Sequence, residues 1–118
     1  MSKLMTMKRV TSSNKDTFHN AGKRQLRKLA SLVGLSEKDY EVRSCYGGPA
    51  VAGEVILHTD KFYIQLFDSY LGDEGIRILY RDCKGRTDYT GGQNRYEHLQ
   101  NLLSNDFVNK LKAMQKDN

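Results

Sequence analysis

Three stretches in the middle of the chain decide the fold: Ala50-Val51-Ala52-Gly53-Glu54-Val55-Ile56-Leu57-His58, Phe62-Tyr63-Ile64-Gln65-Leu66-Phe67 and Ile76-Arg77-Ile78-Leu79-Tyr80-Arg81-Asp82-Cys83. In the first, Val51, Gly53, Val55 and Leu57 alternate with Ala52, Glu54, Ile56 and His58. In the third, Ile76, Ile78 and Tyr80 alternate with Arg77, Leu79 and Arg81. A period of two belongs to extended chain, in which successive side chains point to opposite faces. The middle stretch is rich in aromatic and β-branched residues, and Thr59-Asp60-Lys61 before it is a turn of hairpin length. Asp68 to Gly75 reads as a longer polar loop. One face is apolar and the other mixes in arginine, which suits an antiparallel sheet covered by helices on one side.

Working outward, Lys84-Gly85 predicts a tight turn into a short fourth strand over residues 86–89. Gly91-Gly92 ends the sheet region. Asn94 is placed to cap a helix with Tyr96, Leu99, Leu102 and Leu103 on its apolar side. Ser104 or Asn105 is placed to cap another, with Phe107, Val108, Leu111 and Met114 buried. Upstream, Gly47-Gly48-Pro49 is a break, and Tyr40, Val42 and Ser44 alternate as in a short edge strand. Ser36 followed by Asp39 has the form of a capping box. Gly34 supplies the stop of a helix that begins at Asp16 or Thr17. Phe18, Ala21, Gln25, Leu29, Leu32 and Val33 share one side of that helix. Lys23, Arg24 and Arg27 fall opposite, at about 140° to 240° from Phe18 when each residue turns 100°. The expected fold is α+β: an antiparallel sheet of three to four strands, an N-terminal amphipathic helix and one or two C-terminal helices. Residues 1–14 read as a basic flexible arm, 15–114 as a single domain and 115–118 as a frayed tail.

The 118 residues suffice for one domain of ordinary size, and 38% hydrophobic with 28% charged side chains is compatible with a packed core. No apolar run is long enough to span a membrane, and the first residues lack the pattern of a secretion signal, so a cytoplasmic location is expected. Cys45 and Cys83 form neither a disulfide framework nor a zinc motif by spacing, and two reduced thiols are expected. The net charge of +5 is unevenly placed. Residues 1–30 carry eight lysines and arginines against Asp16 alone, a balance of +7; the remainder carries 11 cations against 13 carboxylates, a balance of −2. A cationic first helix and arm are a footprint for a polyanion, nucleic acid first.

Candidate binding groups cluster at two places. The first is the solvent face of the N-terminal helix, with Lys23, Arg24 and Arg27. The second is the segment around Gly91 and Gly92, where backbone N–H groups entering a helix favour an anion. Lys84, Arg86 and Arg95 flank it, and Tyr89 and Tyr96 offer rings for stacking. Its spacing matches neither G-x-G-x-x-G nor the P-loop, so no nucleotide cofactor is specified. Asp82-Cys83-Lys84 has a D-x-K form that, at a strand end, resembles metal-dependent nucleases with a PD-(D/E)xK core. That resemblance implies Asp60 or Asp68 as the second carboxylate and Lys84 as the group orienting water, although no proline precedes either upstream acid. His58, next to Thr59-Asp60, is placed to join Asp60 in a metal pair or to act as a base, while His19 and His98 lack partners at metal-ligand spacing. All three read first as surface or polar-network histidines. No metal or cofactor is called for.

Two segments, Gly48-Pro49-Ala50-Val51-Ala52-Gly53-Glu54-Val55-Ile56-Leu57-His58 and Cys83-Lys84-Gly85-Arg86-Thr87-Asp88-Tyr89-Thr90-Gly91-Gly92, resemble segments of short, uncharacterised proteins from bacterial mobile elements. The resemblance covers about residues 18–95 and brings no activity with it. It implies an accessory protein of plasmid or phage type that works by stoichiometric binding. The expected partner is nucleic acid or a nucleoprotein complex. The alternatives are an inhibitor of a host defence protein, of anti-restriction or anti-CRISPR type, and the metal-dependent nuclease. The residues carry no signal for an oligomeric state.

Overall fold

In the computed structural model, which describes residues 4, 7–11, 13–46, 53–69, 75–86, 88 and 92–116, the alternating stretches form the centre of one antiparallel sheet. Its strands are β1 (Tyr40–Cys45), β2 (Glu54–Thr59), β3 (Phe62–Ser69), β4 (Gly75–Asp82) and β5 (Arg95–His98), in that spatial order. Each strand is therefore hydrogen-bonded to its neighbour in sequence, a meander. Helix α1 (Lys15–Val33) lies on β1 and β2, while α2 (Asn105–Lys116) packs on β3 and beside α1. Both helices thus cover the same face.

The register explains which face. Val42, Leu57, Ile64 and Tyr80 stand opposite one another across four strands, and Ser44, Val55, Leu66 and Ile78 form the next rung. Leu57, Ile64, Leu66 and Ile78 are fully buried with Phe18, Leu26 and Leu29 of α1 and Phe107 and Leu111 of α2. Each such side chain contributes about 1.5–3 kcal/mol by leaving water, so the rungs fix the register as well as the layer. Tyr80 meets Phe107 edge to face, with ring centroids 5.2 Å apart.

Local signals set the element ends. The Gly34 backbone is left-handed (φ 97°), and the N–H groups of Gly34 and Leu35 bond to the carbonyls of Ser31 and Ala30. The Asp39 carboxylate accepts from both the backbone N–H and the hydroxyl of Ser36, closing the expected capping box over a 3₁₀ turn, Glu37–Asp39. Ser104, the first of the two expected caps, accepts from the Phe107 N–H at 3.2 Å and starts α2.

Four expectations are corrected. Five strands stand where three or four were expected, because residues 95–98 pair with β4 instead of opening a helix. Tyr and His are weak helix formers, and Tyr96 and His98 are drawn into register with Leu79 and Arg77, where they satisfy a β4 edge that would otherwise be left unpaired. The three-residue spacing of Tyr96, Leu99 and Leu102 that imitated a helix belongs partly to the 3₁₀ turn Leu99–Asn101. The fourth strand expected at 86–89 is not found among its described residues: the Asp88 N–H bonds back to the Gly85 carbonyl, a turn. The buried side of α1 is rotated, so that His19, Gly22, Leu26 and Ala30 are buried, Gln25 is only half-buried and Leu32 is 44% exposed.

The described part of the N-terminal arm is docked to the domain. Leu4 is fully buried, and Val10 is nearly so. The Asp68 carboxylate receives the Arg9 guanidinium and the Val10 N–H, both at 2.9 Å. The Ile76 N–H bonds to the Lys8 carbonyl at 3.1 Å, and Gly75 (φ 69°) lets this strap approach so closely that a Cβ there would overlap the Lys8 carbonyl oxygen.

Candidate functional site

The outer side of α1 follows from how its inner side is filled. Phe18, Gly22, Leu26, Leu29 and Val33 recur at three- and four-residue spacing and face the sheet, which leaves Lys23, Arg24, Arg27 and Lys28 on the arc facing away. No aspartate or glutamate occurs between residues 17 and 36. Arg24, Arg27 and Lys28 are exposed and Lys23 is half-buried. Among the described residues none of these four cations has a carboxylate partner. They stand three or four residues apart, so Lys23 with Arg27, and Arg24 with Arg27 and Lys28, repel one another by about 0.2–0.5 kcal/mol per pair. A polyanion laid along the helix relieves that repulsion and gains from each charge.

Several other cations are already engaged. Arg9 pairs with Asp68 at 2.9 Å, and Arg43 with Glu41, Arg86 with Asp60 and Arg95 with Asp82 each at 3.4 Å; Lys110 reaches Glu97 at 4.0 Å. Arg86 also donates to the Lys38 carbonyl. Lys15 donates to the Tyr46 carbonyl and sits 5.4 Å from that ring's centre. Two of the three expected cations of the second cluster are thus partly neutralised by a carboxylate, and Lys84 is exposed beside them in the connection between β4 and β5.

The expected anion loop is closed off at its described end. The Gly92 N–H donates to the Asp82 carbonyl at 3.0 Å, and the segment leads into a strand, so the helix N-terminus that the anion reading needed is not there. Gly91 and Tyr89 lie outside the described residues. Strand β5 also separates its neighbours: Arg95 stands opposite Tyr80 on the helix-covered side, whereas Tyr96 stands opposite Leu79 on the other. The structure therefore does not bring Lys23, Arg24 and Arg27 onto one surface with Tyr96, since the helix and the sheet lie between them.

Of the two nuclease constellations, the one that uses Asp68 is dispersed. Asp82 is opposite Phe62 in the register and Asp68 lies six residues further along β3, about 20 Å away at strand rise. Asp60 and Asp82 share an end of the sheet but each faces its own arginine. The Lys84 backbone N–H is held by the Asp88 carboxylate at 3.0 Å. No cluster of three metal-ligating side chains occurs among the described residues. Both cysteines are free thiols: Cys45 is exposed, and Cys83 is buried, donating to the Thr59 carbonyl, with burial pushing its titration up.

The sheet face without helices carries three rungs. They are Glu41, His58, Tyr63 and Arg81; Arg43, Ile56, Gln65, Leu79 and Tyr96; and Cys45, Glu54, Phe67, Arg77 and His98. At one end His58 is fully buried, and its ring lies edge-on to Tyr63, whose other neighbour, Arg81, has its guanidinium 4.0 Å from the Tyr63 centroid. A carbonyl only accepts, so His58 Nε2 carries the hydrogen donated to Gly85 (3.1 Å) and Nδ1 accepts from Arg43 (3.3 Å). Burial first, then the Arg43 charge, hold this imidazole below its ordinary pKa. This is the polar-network role expected of His58. His19, by contrast, is buried in the core layer, stacked on Tyr46 at 3.9 Å.

At the other end of that face Tyr96 is 49% exposed, with the Arg77 guanidinium 5.2 Å from its centroid and Phe67 edge-on at 6.2 Å. Sequence reasoning singled out Tyr96 but missed Arg77 and Phe67; the alternation of β4 already placed Arg77 on the arginine-bearing face, and the same period carried through β3 would have placed Phe67 there. It also left Lys28 out of the binding set, although its position four residues after Arg24 places it on the same side of α1. None of the described helices is long and apolar enough to cross a membrane. Comparison with protein-family models, curated proteins and solved structures gives no match, and the reading of these surfaces rests on their own chemistry.

Proposed function

We propose that the protein is a non-enzymatic binding module whose α1 contacts the phosphate backbone of nucleic acid, free or within a nucleoprotein complex. One observation carries this reading: Lys23, Arg24, Arg27 and Lys28 share an exposed helix side without a carboxylate partner among the described residues, while Arg86 and Arg95 are each paired. Four such charges on about one and a half turns of helix meet the dense, regular charge of a nucleic-acid strand and select for charge rather than base. The binding role is favoured over the nuclease because Asp60 and Asp82 face arginines rather than each other.

The test is retention of a short duplex at increasing salt. Four phosphate contacts predict a slope of log affinity on log salt of about −3.6. The Arg24→Ala/Arg27→Ala double variant is expected to flatten it by about 2, with thermal stability kept or slightly raised because the like-charge pairs are removed. A wild-type affinity that does not respond to salt would reject the reading.

A second reading, supported by the same neutralised pairs, is a stoichiometric inhibitor of a host defence protein in the setting of a bacterial mobile element. Salt-bridged arginines and a half-exposed tyrosine suit a protein surface better than a phosphate backbone. Capture from the host with and without nuclease treatment separates the two, because only a direct protein partner survives digestion.

A further inference from the structure

We infer that the helix-free face of the sheet holds a second site, centred on Tyr96, that stacks unpaired bases of single-stranded nucleic acid. The inference rests on the nucleic-acid reading of α1 and names a strand state that α1 alone cannot distinguish.

Tyr96 is on the edge strand β5, half exposed, and held from within its own face by the Arg77 guanidinium and the edge of Phe67. A ring fixed on its inner side and open on its outer side loses little freedom when a base lies on it, which is the condition for a useful stack. Arg77 is half-buried, and its guanidinium serves here as the support of the ring. Gln65 stands two strands away on the Tyr96 rung. Its carbonyl oxygen accepts from the Tyr63 hydroxyl at 2.9 Å, which orients the amide so that its N–H₂ group is left to donate to a base edge. Part-exposed Leu79 lies between them and supplies apolar floor.

An aromatic plane, a guanidinium and an amide donor spread over three neighbouring strands of one face favour a splayed single strand over a duplex. Bases in a duplex are stacked on one another and offer no face to a protein ring. Among the described residues α1 carries four cations without a carboxylate partner, whereas this face offers a ring and an amide: the two surfaces read different features of the same polymer. Binding here is independent of α1 in position, since the sheet and helix layers separate them.

The experiment compares anisotropy of a short labelled oligothymidylate with that of a duplex of equal length. Tyr96→Ala is expected to weaken the single strand about tenfold, the order of one base–aromatic stack, and to leave the duplex unchanged. Tyr96→Phe, which keeps the plane, is expected to bind as wild type. Arg77→Gln, which keeps a long polar side chain, guards against a folding defect in the alanine variant and is expected to lose several-fold on the single strand only. Equal losses on both probes, or no loss in any variant, would overturn the site. Loss of duplex binding in Arg24→Ala/Arg27→Ala with an unaffected single strand in Tyr96→Ala would leave the α1 reading standing and remove this one. A wild type that binds neither probe would remove both.

Discussion

His58 shows how a single buried side chain couples the sheet face to pH. Its neighbours are Arg43 on β1, Tyr63 on β3, Arg81 on β4 and the Gly85 carbonyl, with Glu41 the nearby opposing charge. Protonating Nδ1 would destroy the acceptor that Arg43 uses and set a cation between two guanidiniums. The folded protein therefore resists a proton that the unfolded chain accepts at its ordinary pKa of about 6.5. A group whose folded pKa is depressed in this way stabilises the fold when neutral. Stability is thus full above about pH 6.5 and falls as pH drops from there towards the folded value, by at most about 1.4 kcal/mol per pH unit for one proton. Denaturant midpoints between pH 7.5 and 5 should show that decline. In His58→Gln the amide can still donate to Gly85, and the decline should be shallower even though the variant starts less stable. An equal slope in both proteins would mean that another group is responsible.

At the scale of elements, the contact between α1 and β2 is set by Gly22. A Cβ there would lie 3.1 Å from Val55 Cγ2 and 3.3 Å from its Cβ. Alanine would gain about 1 kcal/mol of helix propensity, but Val55 has no room to yield: it is fully buried, β-branched and on a strand paired on both sides. Overpacking of this kind costs about 1–3 kcal/mol, so Gly22→Ala should be net destabilising by about 1 kcal/mol, read as a lower urea midpoint. A rise in the midpoint would show that the helix shifts freely over the sheet. The same contact shows what was legible in the sequence. Period-two alternation announced β2 and β4, and Gly34, Ser36 with Asp39, and Ser104 announced element ends, because those signals are local. The buried side of α1 was misjudged because Gly22 and His19 look polar or neutral on a hydrophobic count, yet one is small enough for Val55 and the other is capped by Tyr46. Strand β5 was hidden because its reason for existing is the free edge of β4, not its own residues. The docking of the arm on Asp68 was hidden likewise, since nothing in residues 4–10 names a partner 58 positions away. The α1 cations were legible from spacing alone; their lack of carboxylate partners, and the pairing of Arg86 and Arg95, were not.

For the molecule as a whole, the consequence of one-sided helix packing is that its two candidate surfaces face away from each other. The principal extents are 40 × 30 × 26 Å, and the helix and sheet layers stand between the α1 cations and Tyr96. A single platform would allow only one strand at a time, since either ligand would cover the shared charges. Opposed surfaces allow two. With the protein saturated by a labelled short oligothymidylate, excess unlabelled short duplex should therefore leave most of the label bound, and the sedimenting species should contain protein, single strand and duplex together. Shortening both probes below the distance around the molecule is essential, because a long strand can wrap and engage both sides, and its affinity would then reflect effective concentration rather than separate sites. Complete displacement of the label by duplex would show that the single strand had been resting on α1 all along, and would return the molecule to one electrostatic surface with an aromatic face of other purpose.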